Sequence, residues 1–355
     1  MKGSAEKAYQ PTAARYRALL EQAGLGVLTP CNGCYSTFKE AWAHLEVDWR
    51  EKDRINERLA REGLHYSGRL KITHFAEWLA DDLGGPLVAS KLKKDFWGMR
   101  IAVHYGCHLL RPTPAVSWDD PIEPKKVEEL VAAMGARVVD YQTKMQCCGG
   151  ALDRVGEREG SLAFARRKLQ DLQDNQVDAM VVVCPSCFQQ FDLNQAALRR
   201  AKEDINVPVL YLSELIALGM GHEPEELGLD MHRVSVQPFL DTWEDRQADK
   251  ARLASFFDVS LLSKCDSCQA CKDDCPVCQV DPTFLPTEIL GDLDRGTPDG
   301  VLPDGQLWKV TAGTTDPLWR PTPILRATPF RTLTAPAPAA GRAPRALAAA
   351  TPAHP

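Results

Sequence analysis

The stretch AMVVVCPSCFQQF, residues 179–191, decides the fold, because it leads an apolar run straight into a pair of cysteines. A short apolar run of this kind is typical of a buried β-strand. Cys184 and Cys187 then form the pattern C-x-x-C-aromatic-x-x-Phe, and CNGCYSTF at residues 31–38 repeats it. The two copies lie 153 residues apart, which predicts an internal repeat, with chance similarity as the alternative.

Helix and strand patterns alternate on both sides of that stretch. Apolar residues recur at helical spacing within residues 16–23, 127–134 and 162–172. Strand-like runs occupy residues 26–30, 100–108, 137–139 and 179–183. Strands that alternate with helices predict an α/β fold, in which ligands bind at the carboxyl ends of the strands.

Four segments of different character follow one another along the chain. The cysteine-bearing units are expected over residues 1–95 and 96–222, and an acidic, helical link with a small cysteine-rich segment over 223–290. Residues 291–355 are rich in Ala and Pro and predict a mostly disordered tail. By the 153-residue offset, the first unit's counterparts of the cysteines upstream of Cys184 would precede Met1, so the first unit is expected to be truncated.

The overall composition favours a cytoplasmic protein in a reducing compartment. The 355 residues carry a formal net charge of −6, which argues against nucleic acid or an anionic membrane as the main partner. No apolar run is long enough for a transmembrane helix, and the polar start MKGSAEKAYQ does not resemble a secretory signal. In such a compartment the 12 cysteines indicate metal ligands or redox centres rather than disulfides.

Five cysteines are expected to form the main metal site: Cys107, Cys147, Cys148, Cys184 and Cys187. Five thiolates exceed the four that a tetrahedral zinc accepts, whereas a multi-iron cluster can use all of them. The adjacent pair can serve two irons, and the two glycines behind it allow the backbone to pass close to inorganic sulfide. A zinc site with a spare thiol is the alternative.

The C-terminal run KCDSCQACKDDCPVCQ has the ligand spacing of a bacterial ferredoxin, C-x-x-C-x-x-C-x-x-x-C-P. It predicts Cys265, Cys268 and Cys271 as ligands of a cubane four-iron four-sulfur cluster, with Cys275 or Cys278 as the fourth ligand. A zinc site is again the alternative.

The motifs KITHFAEWL, AVHYGCHLLRP and DYQTKMQCCGG, together with the cysteine spacing, resemble the CCG domains of the B subunit of heterodisulfide reductase over roughly residues 9–220. The resemblance implies tandem α/β CCG domains, each holding a noncubane four-iron four-sulfur cluster that splits a disulfide in one-electron steps. Cys31 and Cys34 match only the closing pair of the first domain. Half a zinc site or a thioredoxin-type redox pair is the alternative for these two cysteines.

The same resemblance implies an oxidoreductase that acts on a sulfur group within a larger complex. The C-terminal run resembles the ferredoxin-like C subunit, and no flavin or nicotinamide motif is present, so a flavin-containing A-type subunit is the expected electron donor. A non-catalytic electron-transfer subunit is the alternative. His104 and His108 flank Cys107 and are candidate hydrogen-bond donors to sulfide, although a histidine within a strand is more typical of the core. Lys144 is a candidate counter-charge for the cluster.

Overall fold

Two parallel sheets and the helices around them make up the part of the chain that the structure, a computed structural model, describes: residues 6–254, 259 and 278–279. The strands are β1 (Val27–Thr29), β2 (Ile72–His74), β3 (Arg100–His104), β4 (Arg137–Val138), β5 (Ala179–Val182) and β6 (Val209–Tyr211). The larger sheet has the order β4-β3-β5-β6, and β1 pairs with β2 in the smaller one. All pairs are parallel, which confirms the α/β prediction.

Helices connect the strands on both sides of the sheets. The α-helices are α1 (Glu6–Gln22), α2 (Asn32–Val47), α3 (Trp49–Leu59), α4 (Phe75–Glu77), α5 (Gly85–Ser90), α6 (Lys126–Ala133), α7 (Gly150–Arg154), α8 (Arg158–Asp174), α9 (Pro185–Phe188), α10 (Asn194–Arg200), α11 (Leu212–Gly219) and α12 (Gln237–Ala254). Two π-helical segments, Trp78–Leu83 and Gln189–Leu193, and three 3-10 turns, Ala60–Glu62, Cys107–Leu109 and Leu229–Met231, complete the described elements. Within this part of the chain no helix has the length and apolar character needed to cross a bilayer.

The predicted elements agree with the structure except in the acidic link. The three predicted helices lie within α1, α6 and α8, or extend past their ends by one residue, and the predicted strands contain β1, β3, β4 and β5. The prediction of a helical link over residues 223–231 is wrong. This segment is a series of turns that ends in a 3-10 turn at Leu229–Met231. Gly228 adopts a φ of 70°, which ends any right-handed helix at that point.

The core lies on both faces of β3 and β5, because these strands are covered by helices on each side. Ile101 and Val181 are fully buried in one apolar cluster, and Met180 is fully buried in another. Helix α12 extends the first cluster by stacking Trp243 on Phe96 with ring centroids 4.8 Å apart. Helix α12 therefore packs onto the segment that precedes β3.

The same arrangement of strand, cysteine and helix occurs twice. Cys31 follows β1 and caps α2, and Cys184 follows β5 and caps α9, both with extended backbone. The neighbouring strands β2 and β6 also match, because His74 and Tyr211 at their ends each form a capping box with a glutamate three residues later. We refer to residues 27–77 of the structure as the first unit and to residues 100–218 as the second unit.

Candidate metal centre

The cysteines of the two units meet at the carboxyl ends of the parallel strands. Thiol hydrogen bonds connect seven of them in one series: Cys107, Cys147, Cys148, Cys187, Cys184, Cys31 and Cys34. The site therefore brings together the five predicted ligands of the second unit. It also brings in the pair from the first unit, whose place the sequence left open.

Exposure is lowest in the middle of this series and highest at Cys34. Cys148, Cys184 and Cys187 are buried, with at most 6% of their surface exposed. Cys107, Cys147 and Cys31 are partly exposed, and Cys34 is exposed. Cys148, Cys184 and Cys187 therefore form the buried floor of the site, and the side near Cys34 is open to solvent.

The crowding of the thiols changes their acidity. Hydrogen bonds from the thiols of Cys187 and Cys31, and then from backbone N–H groups, hold the pKa of Cys184 far below its ordinary value. Hydrogen bonds from the thiols of Cys107 and Cys148 lower the pKa of Cys147 in the same way. Two thiolates surrounded by further thiols form a soft, anionic donor set, which suits iron, zinc or copper(I) rather than magnesium or calcium.

Gly106 and Asn32 form the junction between the units. Gly106 has φ 72° and ψ 147°, a conformation essentially limited to glycine. A Cβ there would lie 2.6 Å from Asn32 Nδ2 and 3.1 Å from Cys187 Sγ. Asn32 Nδ2 donates to the carbonyl of Tyr105 at 2.7 Å, so the first unit is held against the end of β3.

The loop that carries Cys147 and Cys148 is fixed by α8. Lys168, a fully buried residue of this helix, donates from Nζ to the carbonyls of Thr143 and Lys144. Its burial lowers the pKa of Lys168 to about 7. Asp171 accepts two hydrogen bonds from Thr143, at 2.6 Å and 2.7 Å. The helix therefore sets the height of the cysteine doublet above the sheet.

The two glycines behind the doublet lie between helix α8 and the sulfurs. Gly149 has a φ of 86°, and a Cβ there would lie 2.8 Å from the carbonyl oxygen of Ser161 on α8. A Cβ on Gly150 would lie 3.4 Å from Cys148 Sγ, in ordinary contact. The first glycine thus allows close approach to a helix and donates from its backbone N–H to Cys147 Sγ at 3.4 Å, and the second borders Cys148.

Two histidines border the site, as the sequence suggested. His104 is the last residue of β3, is 2% exposed and lies beneath the sulfurs. His108 lies near the surface, where its Nδ1 is 3.1 Å from Ser36 Oγ of α2. Lys144 forms a 2.5 Å ion pair with Glu128, so its charge is already compensated by a carboxylate.

The sequence analysis missed Lys168, Asn32 and Gly106. Lys168 carried a signal, because it stands three residues after Ala165 on the apolar face of α8, where a charged residue is unexpected. Asn32 and Gly106 carried none, since their roles depend on a contact between the units. The predicted ferredoxin-type ligands Cys265, Cys268, Cys271 and Cys275 lie outside the described residues, as does the tail.

The residues present fit an iron–sulfur cluster. The donors are soft thiolates at a site with a buried floor, and His104 Nδ1 and Nε2 have no hydrogen-bond partner among the described residues. One ring nitrogen of His104 and the sulfurs of Cys148 and Cys187 all lie within 4.8 Å of one another, as expected for atoms around a shared inorganic group.

Comparisons with known proteins agree with this donor set. The family described as "Cysteine-rich domain" (CCG) matches residues 101–192, which carry all five cysteines of the second unit. A crystal structure of a hypothetical protein from Helicobacter pylori matches with a TM-score of 0.52 at 18% identity. It covers 64% of this chain and 41% of that one, and the likeness shows the fold alone.

The curated relatives share more sequence identity with this chain. The B subunit of the ferredoxin/F(420)H(2)-dependent CoB-CoM heterodisulfide reductase of Methanosarcina acetivorans is 36% identical over 64% of this chain and 76% of its own length. A protein of Archaeoglobus profundus, named as similar to the heterodisulfide reductase B subunit, is 34% identical over 61% and 73%. The 8-methylmenaquinol:fumarate reductase membrane anchor subunit of Wolinella succinogenes is 35% identical over 61% and 75%. Taken with the gathered thiols, these matches support a metal-binding iron–sulfur protein of the oxidoreductase type. The chain belongs to the family of heterodisulfide reductase B subunits.

Proposed function

We propose that this chain is the iron–sulfur subunit of a heterodisulfide reductase-like complex and that it reduces a disulfide, or a related sulfur substrate, at a noncubane four-iron four-sulfur cluster. Its ligands are Cys107, Cys147, Cys148, Cys184 and Cys187. The single observation that carries the proposal is the convergence of these sulfurs, from three separate loops, on one partly open site.

The bound cluster would supply electrons one at a time and an iron atom able to accept sulfur. The overall reaction takes up two electrons and two protons, breaks one S–S bond and forms two thiols. The chain contributes position and shielding. The buried floor keeps water from Cys148 and Cys187, while the exposed side near Cys34 gives a substrate access.

Lys168 supports this chemistry without touching the substrate. Its amine is buried behind the doublet loop, and the negative sulfurs of Cys187 and Cys148 raise its pKa, although burial lowers it more. A positive group at this depth offsets part of the negative charge that five thiolates bring. Its two carbonyl partners also keep Cys147 and Cys148 in place.

The domain assignment is part of the proposal. We assign residues 1–95 to a partial first CCG domain and residues 96–222 to a complete second one. The repeated capping of α2 and α9 by cysteines supports this, as does the parallel pairing of β1 with β2 and of β5 with β6. Cys31 and Cys34 then belong to a first cluster site, beside Cys184.

Electrons are proposed to arrive through a ferredoxin-type cluster in residues 223–290, bound by Cys265, Cys268, Cys271 and Cys275. A flavin-containing A-type subunit, with or without a separate C-type ferredoxin-like subunit, is the proposed donor. The relatives support such partners, because their names describe subunits of larger reductases.

The second candidate is a non-catalytic electron-transfer subunit of another oxidoreductase. The relative from Wolinella favours it, since it is named as a subunit of a menaquinol:fumarate reductase at a level of identity similar to that of the heterodisulfide reductases. Thiol access to the cluster distinguishes the two candidates.

The test begins with the full chain purified anaerobically. Iron and acid-labile sulfide in equal amounts are expected, and zinc alone would overturn the proposal. Thiols are then added to the oxidised protein, and its paramagnetic spectrum is expected to change. The assembled complex should oxidise reduced viologen faster when heterodisulfide is added. An unchanged spectrum together with an unchanged rate would favour the electron-transfer role.

A further inference from the structure

We propose that His104 donates a hydrogen bond from a ring N–H group to the sulfurs of Cys148 and Cys187 and thereby raises the reduction potential of the cluster. This inference rests on the proposed cluster and adds a positioning residue to it. A donor to a thiolate withdraws negative charge from the metal centre, so it stabilises the reduced state more than the oxidised state.

The position of His104 is fixed by the sheet. It ends β3 and pairs in register with Val182 of β5, one strand over. Its ring meets Phe191 edge to face, with the centroids 4.9 Å apart, which limits rotation of the imidazole. One ring nitrogen and both sulfurs fall within 4.8 Å of one another, so the ring lies against the buried floor of the site.

The ring nitrogens of His104 lack any other partner. Both are buried and neither has a hydrogen bond within residues 6–254, where polar groups at this depth are nearly always paired. A buried donor without an acceptor is unfavourable, because it has lost its hydrogen bonds to water. Cysteine sulfurs are the acceptors at hand, because the ring faces the thiols of Cys148 and Cys187.

An imidazole ring suits the role of a donor, because it carries an N–H group in either of its protonation states. A neutral imidazole carries one N–H group, which can donate to sulfur without adding a full charge to the floor. Direct ligation of an iron by the nitrogen is the competing arrangement, and pulsed EPR separates the two.

The test compares three variants of the anaerobically purified full chain: His104→Leu, His104→Gln and His222→Gln. Leucine removes the donor, while glutamine retains an N–H group. His222 is a control, because its side chain is 58% exposed and pairs with Glu226. A redox titration followed by EPR should show a shift to more negative potential in His104→Leu at unchanged iron and sulfide content. We expect the shift to be smaller in His104→Gln and absent in His222→Gln.

Equal potentials in wild type and His104→Leu would overturn the inference, and so would equal shifts in the leucine and glutamine variants. Should His104→Leu fail to retain iron, wild type labelled with ¹⁵N-histidine provides the second measurement. Pulsed EPR is expected to detect a weak nitrogen coupling that disappears in His104→Gln. No coupling, or a coupling as large as that of a ligating nitrogen, would contradict the hydrogen bond.

The two proposals fail in different ways. If the wild type holds no iron, the proposed function fails, and this inference fails with it. If the wild type holds iron and sulfide but the potential does not depend on His104, the inference alone fails.

Discussion

The two units contain the same motif in different surroundings. In each, a strand leads into C-x-x-C and then into a helix that begins at the first cysteine. In the second unit β5 lies between β3 and β6, whereas in the first unit β1 pairs only with β2 among the described residues. Leu28 and Val181, at equivalent positions, are consequently 50% and 0% exposed.

The difference teaches that a complete sulfur site is a property of the sheet rather than of the motif. C-x-x-C supplies two thiols at the end of one strand. The lone Cys107 comes from the neighbouring strand β3, and the doublet comes from the loop beyond β4. The second unit has five thiols because β3 lies beside β5, on the side opposite β6, and the segments after β3 and β4 supply the three further cysteines.

Removal of the lone cysteine is expected to have the largest effect. Cys107→Ser should lose most of the iron and acid-labile sulfide. Cys107 is the ligand that follows β3, and its thiol is hydrogen-bonded to that of Cys147. Cys34→Ser is the matched variant in the first unit, at an exposed position, and should keep the cluster of the second unit. Metal analysis after anaerobic purification measures both. Equal losses would show that the units do not differ in the way the sheets suggest.

Replacing glycines near the two C-x-x-C motifs by alanine should change the free energy of unfolding in opposite directions. Gly106→Ala should lower the free energy of unfolding by about 3 kcal/mol, because it combines backbone strain with contacts at 2.6 Å and 3.1 Å. Gly33→Ala, in the first turn of α2, has 3.9 Å to its nearest neighbour and should raise stability by about 0.5 kcal/mol. Urea denaturation under reducing conditions measures both changes, and a neutral Gly106→Ala would contradict the close junction.

The elements of the fold could be predicted because they depend on local patterns. Apolar runs before Cys184 and Cys107 identified β5 and β3, and helical spacing identified α8. The five-cysteine set was likewise readable, since parallel strands place their carboxyl ends together. Nothing local indicated that Cys31 would lie beside Cys184, because that contact depends on packing between units.

Truncating the side chains at equivalent strand positions should change the free energy of unfolding by a smaller amount, and this change should still differ between the two units. Val181→Ala should cost about 2 kcal/mol, since it removes two methyl groups from a fully buried position between two strands. Leu28→Ala removes more carbon from a half-exposed position and should change stability by less than about 0.5 kcal/mol. Urea midpoints at equal denaturant slope measure the difference. A loss for Leu28→Ala as large as that for Val181→Ala would mean that β1 is covered in solution.

What the sequence could not provide are the contacts of the polar groups that serve the site from inside the fold. The sequence offered His104 as a candidate donor, but only the structure shows a ring nitrogen of His104 within 4.8 Å of the sulfurs of Cys148 and Cys187. Lys168 breaks the apolar stripe of α8, but the stripe alone does not reveal that its partners are the carbonyls of Thr143 and Lys144. Both roles depend on which elements face one another.

The smallest expected effect is a pH dependence of the ion pair between His232 and Glu214, a glutamate of the second unit. Burial by itself would lower the pKa of His232, but the carboxylate of Glu214, 3.4 Å away, raises that pKa above its ordinary value. A raised folded pKa stabilises the protein below the unfolded pKa of about 6.5, and this contribution is lost as the pH rises through the folded value. The stability difference between wild type and His232→Gln should therefore be larger at pH 6 than at pH 8.5, by less than about 1 kcal/mol.

The first unit supplies the matched control for that prediction. Glu77 is the equivalent of Glu214, and it accepts a hydrogen bond from the hydroxyl of Tyr35 at 2.9 Å instead of pairing with a histidine. Burial, followed by the charge of Glu77, raises the pKa of Tyr35, so the hydroxyl of Tyr35 stays protonated between pH 6 and pH 8.5. The loss of stability in Tyr35→Phe should then be the same at both pH values. A pH-dependent loss in Tyr35→Phe, or a constant one in His232→Gln, would show that the two glutamates are not distinguished by their partners.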